Sequence, residues 1–347
     1  MRMAVFGAGA VGAYVGGHLA HAGYDVTLVD FWPAHIDAMR ANGLELSGPE
    51  GTTRVRPQVL GIGEVSSLVK SAPLDVVFVS VKSYDTEWIT TLARSYLADD
   101  GCVVSLQNCL NEETIARTVG AGRTLGCVVA SISVALFEPG RVRRERARRT
   151  EGHNVFRVGE LDGSTSARAR EITEALQTVD NATMTSNLIG ERWSKLANNA
   201  MNSGVAATTG LSARQGMAIP WLRAFMIDLG VEAAGTADRL GHRLEKIGKI
   251  EAELFIQASR GNEGARAELD RRMEAQADSG PAERLSSMGQ DVLKGRRTEI
   301  DFLNGYVVEK GRSAGLPTPA NARVVEIVRR IERGSLTPAI GNLQAAP

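Results

Sequence analysis

The chain has 347 residues, which is long enough for two domains with separate hydrophobic cores. Its 40 Lys and Arg residues equal its 40 Asp and Glu residues, so no net field attracts nucleic acid or an anionic membrane. The apolar runs are strand-sized and no charged leader segment is visible, while Cys102, Cys109 and Cys127 lack metal-ligand spacing. We therefore expect a cytoplasmic protein with reduced thiols.

Short apolar runs alternate with helical patterns in the first half of the chain, as in a doubly wound parallel sheet. The predicted strands are Met3–Phe6, Asp25–Val29, Arg56–Leu60, Val76–Val81, Val103–Leu106 and Thr124–Ile132. The predicted helices between them are Val11–His21, Pro33–Asn42 and Thr86–Leu97. Arg141–Arg143 and Asn154–Val158 are expected to form a hairpin that closes this sheet. The basic run 141–149 is interpreted as a solvated loop, because acidic residues surround it.

Strand signals end near residue 185, and helical periods follow. The predicted helices are Leu188–Ala206, Pro220–Leu240, Lys246–Ala258, Ala265–Ala277 and Glu299–Ala314. The change predicts a first domain over residues 1–185, an all-helical second domain over 186–335 and a flexible tail over 336–347. The charged segment Gly261–Gly280 is expected to be a mobile excursion.

A GxGxxG pattern follows the first predicted strand, and its residues are Gly7, Ala8, Gly9, Ala10, Val11 and Gly12. Gly7 permits the tight turn, Gly9 lets a pyrophosphate approach the backbone, and Gly12 lets the helix pack closely on the strand. The N–H groups and the dipole at the helix start then bind the diphosphate. The pattern predicts dinucleotide binding and an α/β fold, in which a Rossmann-type doubly wound parallel sheet precedes an all-helical second domain.

Asp30 ends the second predicted strand, where the adenosine ribose of a dinucleotide should lie. A carboxylate there accepts hydrogen bonds from the diol of NAD and repels the 2′-phosphate of NADP, and no arginine occurs in 31–35. These residues favour NAD(H). The alternative is that Asp30 merely caps the helix that begins near Pro33.

Polar residues also follow two further strands. Lys82 and Asn108 come directly after apolar runs, and such positions line the ligand crevice of a parallel sheet. We expect both side chains near the ribose or the nicotinamide of the cofactor. The alternative is that each is an ordinary loop residue.

A polar stripe runs along the first helix of the second domain. Lys195, Asn199 and Asn202 lie at positions i, i+4 and i+7, on a helix that is otherwise largely apolar. Such a stripe is unfavourable in a core unless it meets a ligand or another polar group. Partial burial also lowers the pKa of a lysine, so Lys195 could protonate a carbonyl oxygen as hydride reaches the carbon. The alternative is a lysine that extends to solvent.

A second polar cluster comprises residues 286–291 and Glu299. One continuous helix would separate Ser287 and Glu299 by about 18 Å. We therefore expect a break near Gly295 that lets both face one cleft. Glu299 could also be a helix N-terminal carboxylate, and the two interpretations are compatible.

Together these residues resemble the ketopantoate reductases (2-dehydropantoate 2-reductases) and related 2-hydroxy acid dehydrogenases, over about residues 1–335. The resemblance rests on the glycine turn, on Trp193-Ser-Lys195-Leu with Asn199, on Ser286–Asp291 and on Thr298–Gly305. It implies a site in the cleft between the two domains. It also implies that Lys195 is the general acid and Glu299 its partner carboxylate.

The same resemblance implies roles for the remaining candidates. Ser287 matches a serine that binds the substrate carboxylate, and Asn199 matches a substrate-binding asparagine. Asn108 matches an asparagine between nicotinamide and substrate, and Lys82 matches a lysine that borders the cofactor. NADP(H) is the usual cofactor of the family.

Three positions depart from the family pattern. Ser203 stands where a second asparagine is usual, with Asn202 beside it, and Cys109 stands where glycine is more common. Both changes can alter which substrate the site binds. We expect the substrate, 2-dehydropantoate or an analogue, to contact Asn202 and Ser203. Asp30 stands where arginine is frequent, which favours NAD(H) over NADP(H).

The sequence therefore predicts a nicotinamide-dependent 2-keto acid reductase of pantothenate biosynthesis, with Lys195 as general acid. Its expected partners are a small 2-keto or 2-hydroxy acid and, at most, a second copy of the chain; neither a metal ion, nucleic acid nor a membrane is expected. The first alternative is an NAD-dependent (R)-2-hydroxy acid dehydrogenase that acts oxidatively on another substrate. The second is a non-catalytic, dinucleotide-sensing protein.

Overall fold

A computed structural model describes residues 1–277 and 285–344, and the chain divides into two compact units, Met1–Leu188 and Ile189–Pro347. The predicted boundary after residue 185 lies close to this division. The first unit mixes strands and helices, and the second is helical in its described residues.

The first unit contains a large sheet and a small one. Its strands are β1 (Arg2–Phe6), β2 (Asp25–Asp30), β3 (Leu44–Gly48), β4 (Gly51–Val55), β5 (Gln58–Gly61), β6 (Leu74–Val79), β7 (Leu97–Ser105), β8 (Thr124–Val129), β9 (Val134–Glu138), β10 (Arg141–Arg144), β11 (Phe156–Glu160) and β12 (Ala182–Met184). Its helices are α1 (Ala10–His21), α2 (Pro33–Asn42), α3 (Thr86–Arg94), α4 (Glu112–Val119) and α5 (Ala167–Gln177).

The large sheet has the order β12-β11-β8-β7-β6-β1-β2-β5. All neighbouring strands in it are parallel except the antiparallel pair β11 and β8. Alternate residues of β1 enter two different cores, since Met3 and Val5 pack in one hydrophobic cluster while Ala4 and Phe6 pack in another. Burial on both faces is what a parallel sheet covered by helices requires. The predicted α/β fold with a doubly wound parallel sheet is confirmed.

The predicted hairpin of Arg141–Arg143 and Asn154–Val158 is wrong. β10 belongs to the small sheet, of order β4-β3-β10-β9, whereas β11 pairs with β8 in the large sheet. The small sheet was not predicted, although Leu44 and Leu46 are buried and alternate with more exposed Glu45 and Ser47. That alternation, ahead of a turn and Gly51, is a local strand signal.

The basic run 141–149 is also more than a solvated loop. The Arg144 guanidinium is 2% exposed and forms an ion pair with Asp180, at 2.5 Å between Nη1 and Oδ2. Arg148 donates to the backbone carbonyls of Thr178 and Val179. Acidic neighbours in the sequence could not reveal this, because Asp180 is distant along the chain.

The second unit contains α6 (Leu188–Thr209), α7 (Ala213–Met217), α8 (Pro220–Arg239), α9 (Ala252–Ser259), α10 (Glu263–Ala277), α11 (Ser287–Leu293), α12 (Asn304–Ser313) and α13 (Pro319–Glu332). The sequence predicted most of these helices, with two errors at their starts. Residues 246–251 form a loop closed by the pairing of Ile247 with Ile250, and residues 299–303 form turns before α12. The all-helical character of this unit is confirmed within the described residues.

Three local expectations have mixed outcomes. The predicted break near Gly295 is confirmed, because α11 ends at Leu293 and Gly295 has φ +60°. Most of the segment Gly261–Gly280 is helix α10 rather than a mobile excursion, and its last three residues lie outside the described part. In the described part of the predicted tail, residues 336–344, Asn342 donates to the carbonyl of Thr208 and Leu343 is buried.

None of the helices within residues 1–277 and 285–344 has both the length and the apolar composition that a membrane crossing requires.

Candidate active site

Four predicted site elements meet at one edge of the large sheet. Strands β7, β6, β1 and β2 are consecutive neighbours and run parallel. Their carboxyl ends lead respectively to Asn108, to Lys82, to the glycine turn at Gly7 and to Asp30. Because these strand ends share an edge, the first unit brings its four candidate positions together, as predicted from the chain order of the motifs.

The three glycines of the turn, Gly7, Gly9 and Gly12, have different local surroundings. Gly7 has φ +96°, and a Cβ placed on it would lie 2.7 Å from the backbone nitrogen of Val81. A Cβ on Gly12 would overlap the carbonyl oxygen of Gly7, whereas a Cβ on Gly9 would meet nothing within 4 Å. Gly7 and Gly12 are thus required by the fold itself. Gly9 faces open space at the start of α1, where a bound group could approach the backbone.

The start of α1 fits an anionic group. Gly9 is its N-cap, and among the described residues no side chain caps this helix end and no acidic residue lies in its first turn. Backbone N–H groups at such a helix start, together with the helix dipole, attract a phosphate. The helix start and the open space at Gly9 therefore suit the approach of an anionic group such as a diphosphate.

Asp30 is buried at the end of β2, and its Oδ1 accepts hydrogen bonds from the backbone N–H groups of Phe31 and Trp32, both at 2.9 Å. The N-cap of α2 is Trp32, so Asp30 holds the segment before the helix rather than the helix end. Among the described residues, Oδ2 has no hydrogen-bond partner. The carboxylate therefore keeps one oxygen that could accept from a sugar hydroxyl.

The segments that carry Lys82 and Asn108 are tied to each other. The Gln107 side-chain amide donates to the carbonyl of Val81 at 2.9 Å, and the Asn111 amide donates to the carbonyl of Asn108 at 2.8 Å. Lys82 and Asn108 themselves are half-buried. These bonds fix the two backbones whose side chains were predicted to border the cofactor.

Cys109 follows in a left-handed conformation, with φ +68°. A non-glycine residue there is strained. The departure of this chain from the more usual glycine therefore sits at a position where glycine is the residue that the backbone favours.

His35 is a buried residue of this region that the sequence did not single out. Its Nδ1 accepts a hydrogen bond from Gly140 at 2.8 Å, so Nε2 carries the proton and donates to the carbonyl of Ala8 at 2.9 Å. Burial lowers the pKa of His35, because it disfavours the charged imidazolium. His35 thus braces the glycine turn from α2, a contact that no local pattern of α2 could reveal.

In the second unit, α6 carries the predicted polar stripe. Lys195, Asn199 and Asn202 are half-buried, and Ser203 is buried. The Asn202 amide donates to Oδ1 of Asn198 at 3.2 Å, so part of its hydrogen-bonding capacity is used within the helix. Among the described residues Asn199 has no hydrogen-bond partner for its side chain. The Asn199 amide is therefore available to a ligand among the described residues.

Glu299 lies in the turns that precede α12 and is 6% exposed. Since α12 begins only at Asn304, Glu299 is not the helix N-terminal carboxylate of the alternative interpretation. Its neighbour Thr298 donates to Oε1 of Glu332 through both its backbone nitrogen (2.6 Å) and its hydroxyl (2.8 Å). The Asn304 amide donates to the carbonyl of Ala200 at 3.2 Å, which joins the end of these turns to the middle of α6.

Ser287 occupies the first position of α11 and is exposed, while Ser286 caps that helix by accepting from the backbone nitrogen of Gly289 at 3.4 Å. Among the residues that the structure describes, no hydrogen bond joins Ser287 to Lys195 or to Glu299. Residues 278–284, just before it, lie outside the described part. The described residues contain no group of three or more His, Cys, Asp or Glu side chains that could hold a metal ion.

A parallel sheet with a glycine turn and an acidic strand end defines the class of Rossmann-type dinucleotide-binding proteins. A family model described as ketopantoate reductase PanE/ApbA matches residues 3–160, and its C-terminal counterpart matches residues 187–332. The chain belongs to the ketopantoate reductase family, as its resemblance predicted.

Individual relatives agree with this assignment. The chain is 30% identical to a 2-dehydropantoate 2-reductase of Archaeoglobus fulgidus, over 96% of this chain and 98% of the relative. A PanE/ApbA family ketopantoate reductase from Ralstonia eutropha JMP134 superposes with a TM-score of 0.78 at 28% identity, covering 96% and 99% of the two chains. The structure of a D-mandelate dehydrogenase with NADH and anilino(oxo)acetate gives 0.79 at 21% identity, covering 96% and 99%, which shows a shared fold. The prediction of an oxidoreductase enzyme is confirmed.

Proposed function

We propose that the chain is a nicotinamide-dependent reductase that converts a 2-keto acid, 2-dehydropantoate or an analogue, to the 2-hydroxy acid. The observation that carries the proposal is the sheet edge at which the uncapped start of α1, the open space at Gly9 and an Asp30 oxygen without a partner among the described residues follow neighbouring strands. A dinucleotide would bind there with its diphosphate at the helix start and its ribose at the carboxylate. A sensor without catalysis would not need the lysine and asparagine of α6.

The bound nicotinamide supplies the hydride, and the chain supplies position and charge. In the proposal, the Lys195 ammonium donates a proton to the keto oxygen as negative charge develops there. Asn199 and Asn202 donate hydrogen bonds to substrate oxygens, Ser287 binds the carboxylate, and Glu299 orients Lys195. Ser203 shapes the site as a smaller side chain than the asparagine usual in the family.

We propose NAD(H) as the preferred cofactor. Asp30 ends β2, where the adenosine ribose is expected in the proposed site, and a carboxylate there would repel the 2′-phosphate of NADP. NADP(H), the usual cofactor of the family, is the alternative, and kcat/KM measured with each cofactor distinguishes the two.

The decisive experiment measures kcat/KM for 2-dehydropantoate and a panel of 2-keto and 2-hydroxy acids, each with NAD(H) and NADP(H). We expect reduction of 2-dehydropantoate or a close analogue with NADH. Exclusive oxidation of another (R)-2-hydroxy acid would favour the second candidate, a dehydrogenase, which Asp30 and Ser203 also fit. Dinucleotide binding without turnover of any substrate would favour the third candidate, a non-catalytic dinucleotide-sensing protein.

Replacing the proton donor tests the catalytic assignment. Lys195→Ala should lower kcat by about 10²–10⁴-fold, since that is the usual contribution of general acid catalysis. The dissociation constant of NADH should stay within about twofold. Lys249→Ala, at an exposed lysine of the same unit, is the matched control and should keep full turnover. Parental kcat in the Lys195 variant would remove Lys195 from the mechanism.

A further inference from the structure

Exposed aromatic side chains cluster beside Asp30. Aromatic residues make up 5% of the chain, and its large exposed aromatics in the described residues are Phe31, Trp32, Trp88 and Phe137. Phe31 and Trp32 directly follow β2, and Trp88 lies in the first turn of α3, after β6. Three of the four thus lie at the carboxyl edge that carries the glycine turn.

Phe31 and Trp88 are held in contact although 38% and 43% of their respective surfaces are exposed. Their ring centroids are 5.4 Å apart, with an interplanar angle of 49°. The Trp88 indole N–H donates to Oδ1 of Asp85 at 2.8 Å, and the Phe31 backbone N–H donates to Asp30 at 2.9 Å. The rings are therefore oriented before any ligand binds, and a ligand would not bear the full cost of ordering them.

Trp32 has a different environment. Its ring stacks on the buried His35, at 5.8 Å between centroids and 26° between planes. One of its faces is thus occupied by the protein. Phe31 and Trp88 form the remaining exposed pair, which we call the aromatic platform.

We propose that the aromatic platform, Phe31 and Trp88, binds the adenine base of the dinucleotide by stacking, next to the ribose at Asp30. The base is bonded to the same ribose that Asp30 would hold, so it must leave that sugar close to the residue after Asp30. Stacking of a purine on an aromatic side chain stabilises the complex, and it does not depend on which hydrogen-bonding groups the base carries. This inference rests on the proposed dinucleotide site and adds to it the residues that hold the base.

The test measures binding to the full chain, by calorimetry, of ADP-ribose, which contains the adenosine half without nicotinamide. Trp88→Ala and Phe31→Ala should each weaken ADP-ribose binding about 5- to 150-fold, the range that one stacked base contributes. Trp88→Phe keeps a ring and should restore most of the affinity. Phe137→Ala removes an exposed aromatic from the small sheet of the same unit and should bind as the parent does.

Turnover with two cofactors separates base recognition from general damage. With NADH, Trp88→Ala should raise KM for the cofactor and leave kcat within about twofold. With reduced nicotinamide mononucleotide, which has no adenine, the variant and the parent should have equal kcat/KM. An equal loss with both cofactors would overturn the proposal, because it would report distortion of the unit.

The outcomes distinguish the two proposals. If the parent binds neither ADP-ribose nor NADH, the proposed function fails and the platform with it. If the parent binds ADP-ribose and both alanine variants bind it equally well, the platform is refuted while the dinucleotide site stands.

Discussion

Gly9 and Gly12 differ in what a side chain would meet, although both belong to one pattern. A methyl group on Gly9 points into open space, and the φ of −65° at this residue suits any amino acid. A methyl group on Gly12 would collide with the backbone of Gly7. At the scale of single residues, Gly12 is required by the packing of α1 on β1, whereas the role proposed for Gly9 is to admit the ligand.

Paired substitutions test that distinction. Gly9→Ala should leave the free energy of unfolding within about 0.5 kcal/mol of the parent, while KM for NADH rises at least about tenfold because the methyl group occupies the diphosphate position. Gly12→Ala should lower the free energy of unfolding by about 1–3 kcal/mol or more through overpacking. Urea unfolding and steady-state kinetics measure the two effects. An unchanged KM in the Gly9 variant would contradict the placement of the diphosphate.

His18 is a second residue whose effect follows from its surroundings. It is 8% exposed on α1, where its ring lies edge-on to Tyr14 at 4.4 Å between centroids. Burial, followed by the positive charges of Arg148, His21 and Arg144, lowers the pKa of His18 to about 3, with Asp180 acting in the opposite direction. The unfolded chain, with an ordinary histidine pKa near 6.5, therefore binds the proton more readily than the folded one.

The sign of the pH effect follows directly. This contribution to stability is fully present above pH 6.5 and declines as the pH falls from there toward 3, by about 2 kcal/mol between pH 7 and pH 5. Urea unfolding of the parent and of His18→Gln at both pH values measures it, and the variant should lose most of that slope. His21→Gln, at an exposed position of the same helix, controls for the loss of a histidine. Equal slopes in the parent and in His18→Gln would contradict the prediction.

At the scale of elements, the small sheet is joined to the rest of the first unit through Arg144 of β10. Its guanidinium pairs with Asp180, which precedes β12, and lies 5.7 Å from the ring centroid of Tyr14 on α1. Asp180 also accepts from the backbone of Arg149 at 2.8 Å through Oδ1. One buried ion pair and its contact with Tyr14 thus link a strand of the small sheet, helix α1 and the segment before β12 of the large sheet.

Breaking that pair should be far more harmful than breaking a surface pair on the same strand. Arg144→Met leaves the Asp180 carboxylate buried without its partner, which costs about 3–5 kcal/mol of unfolding free energy. Arg141→Met, which removes an exposed pair with Glu138, should cost about 1 kcal/mol or less. Urea unfolding of both variants provides the comparison. Similar losses in the two would show that the buried pair does not join these elements.

Elements with a strong local pattern were predicted well. The helix from Pro220 was expected to end at Leu240 and ends at Arg239, because proline at its start and its apolar period are local signals. α13 was missed although Pro319 opens it and Val324, Val325 and Val328 are buried along one face. The failure of the 141–158 hairpin is different in kind, since pairing partners of strands are chosen by the tertiary structure.

At the scale of the whole molecule, the connection between the two units is short. Residues 185–187 join β12 to α6, and Thr185 donates from its backbone to the carbonyl of Val158 at 2.8 Å. The Asn187 backbone donates to the hydroxyl of Thr185 at 3.0 Å. The helix that carries Lys195 therefore begins directly where the sheet unit ends, without a long linker.

An insertion tests whether turnover depends on this connection. Gly-Ser-Gly-Ser between Ser186 and Asn187 should lower kcat by about 10²-fold or more, because displacing catalytic groups by about 1 Å already has effects of that order. ADP-ribose affinity should stay within about twofold, since the proposed dinucleotide residues all precede the insertion. The same insertion at the exposed turn of Glu151 and Gly152 is the control. Unchanged kcat would separate the proposed chemistry of Lys195 from the cofactor.

The sequence by itself determined the α/β class, the helical second unit, the glycine turn and the candidate residues that follow neighbouring strands. Those features are encoded locally, through the period of apolar residues and through glycines that one backbone conformation requires. Only the tertiary structure revealed the small sheet, the Arg144–Asp180 pair, the brace from His35 to Ala8 and the contact between Phe31 and Trp88. Each of these joins residues far apart along the chain, and such contacts are chosen by packing and burial of the whole unit, which no single segment encodes.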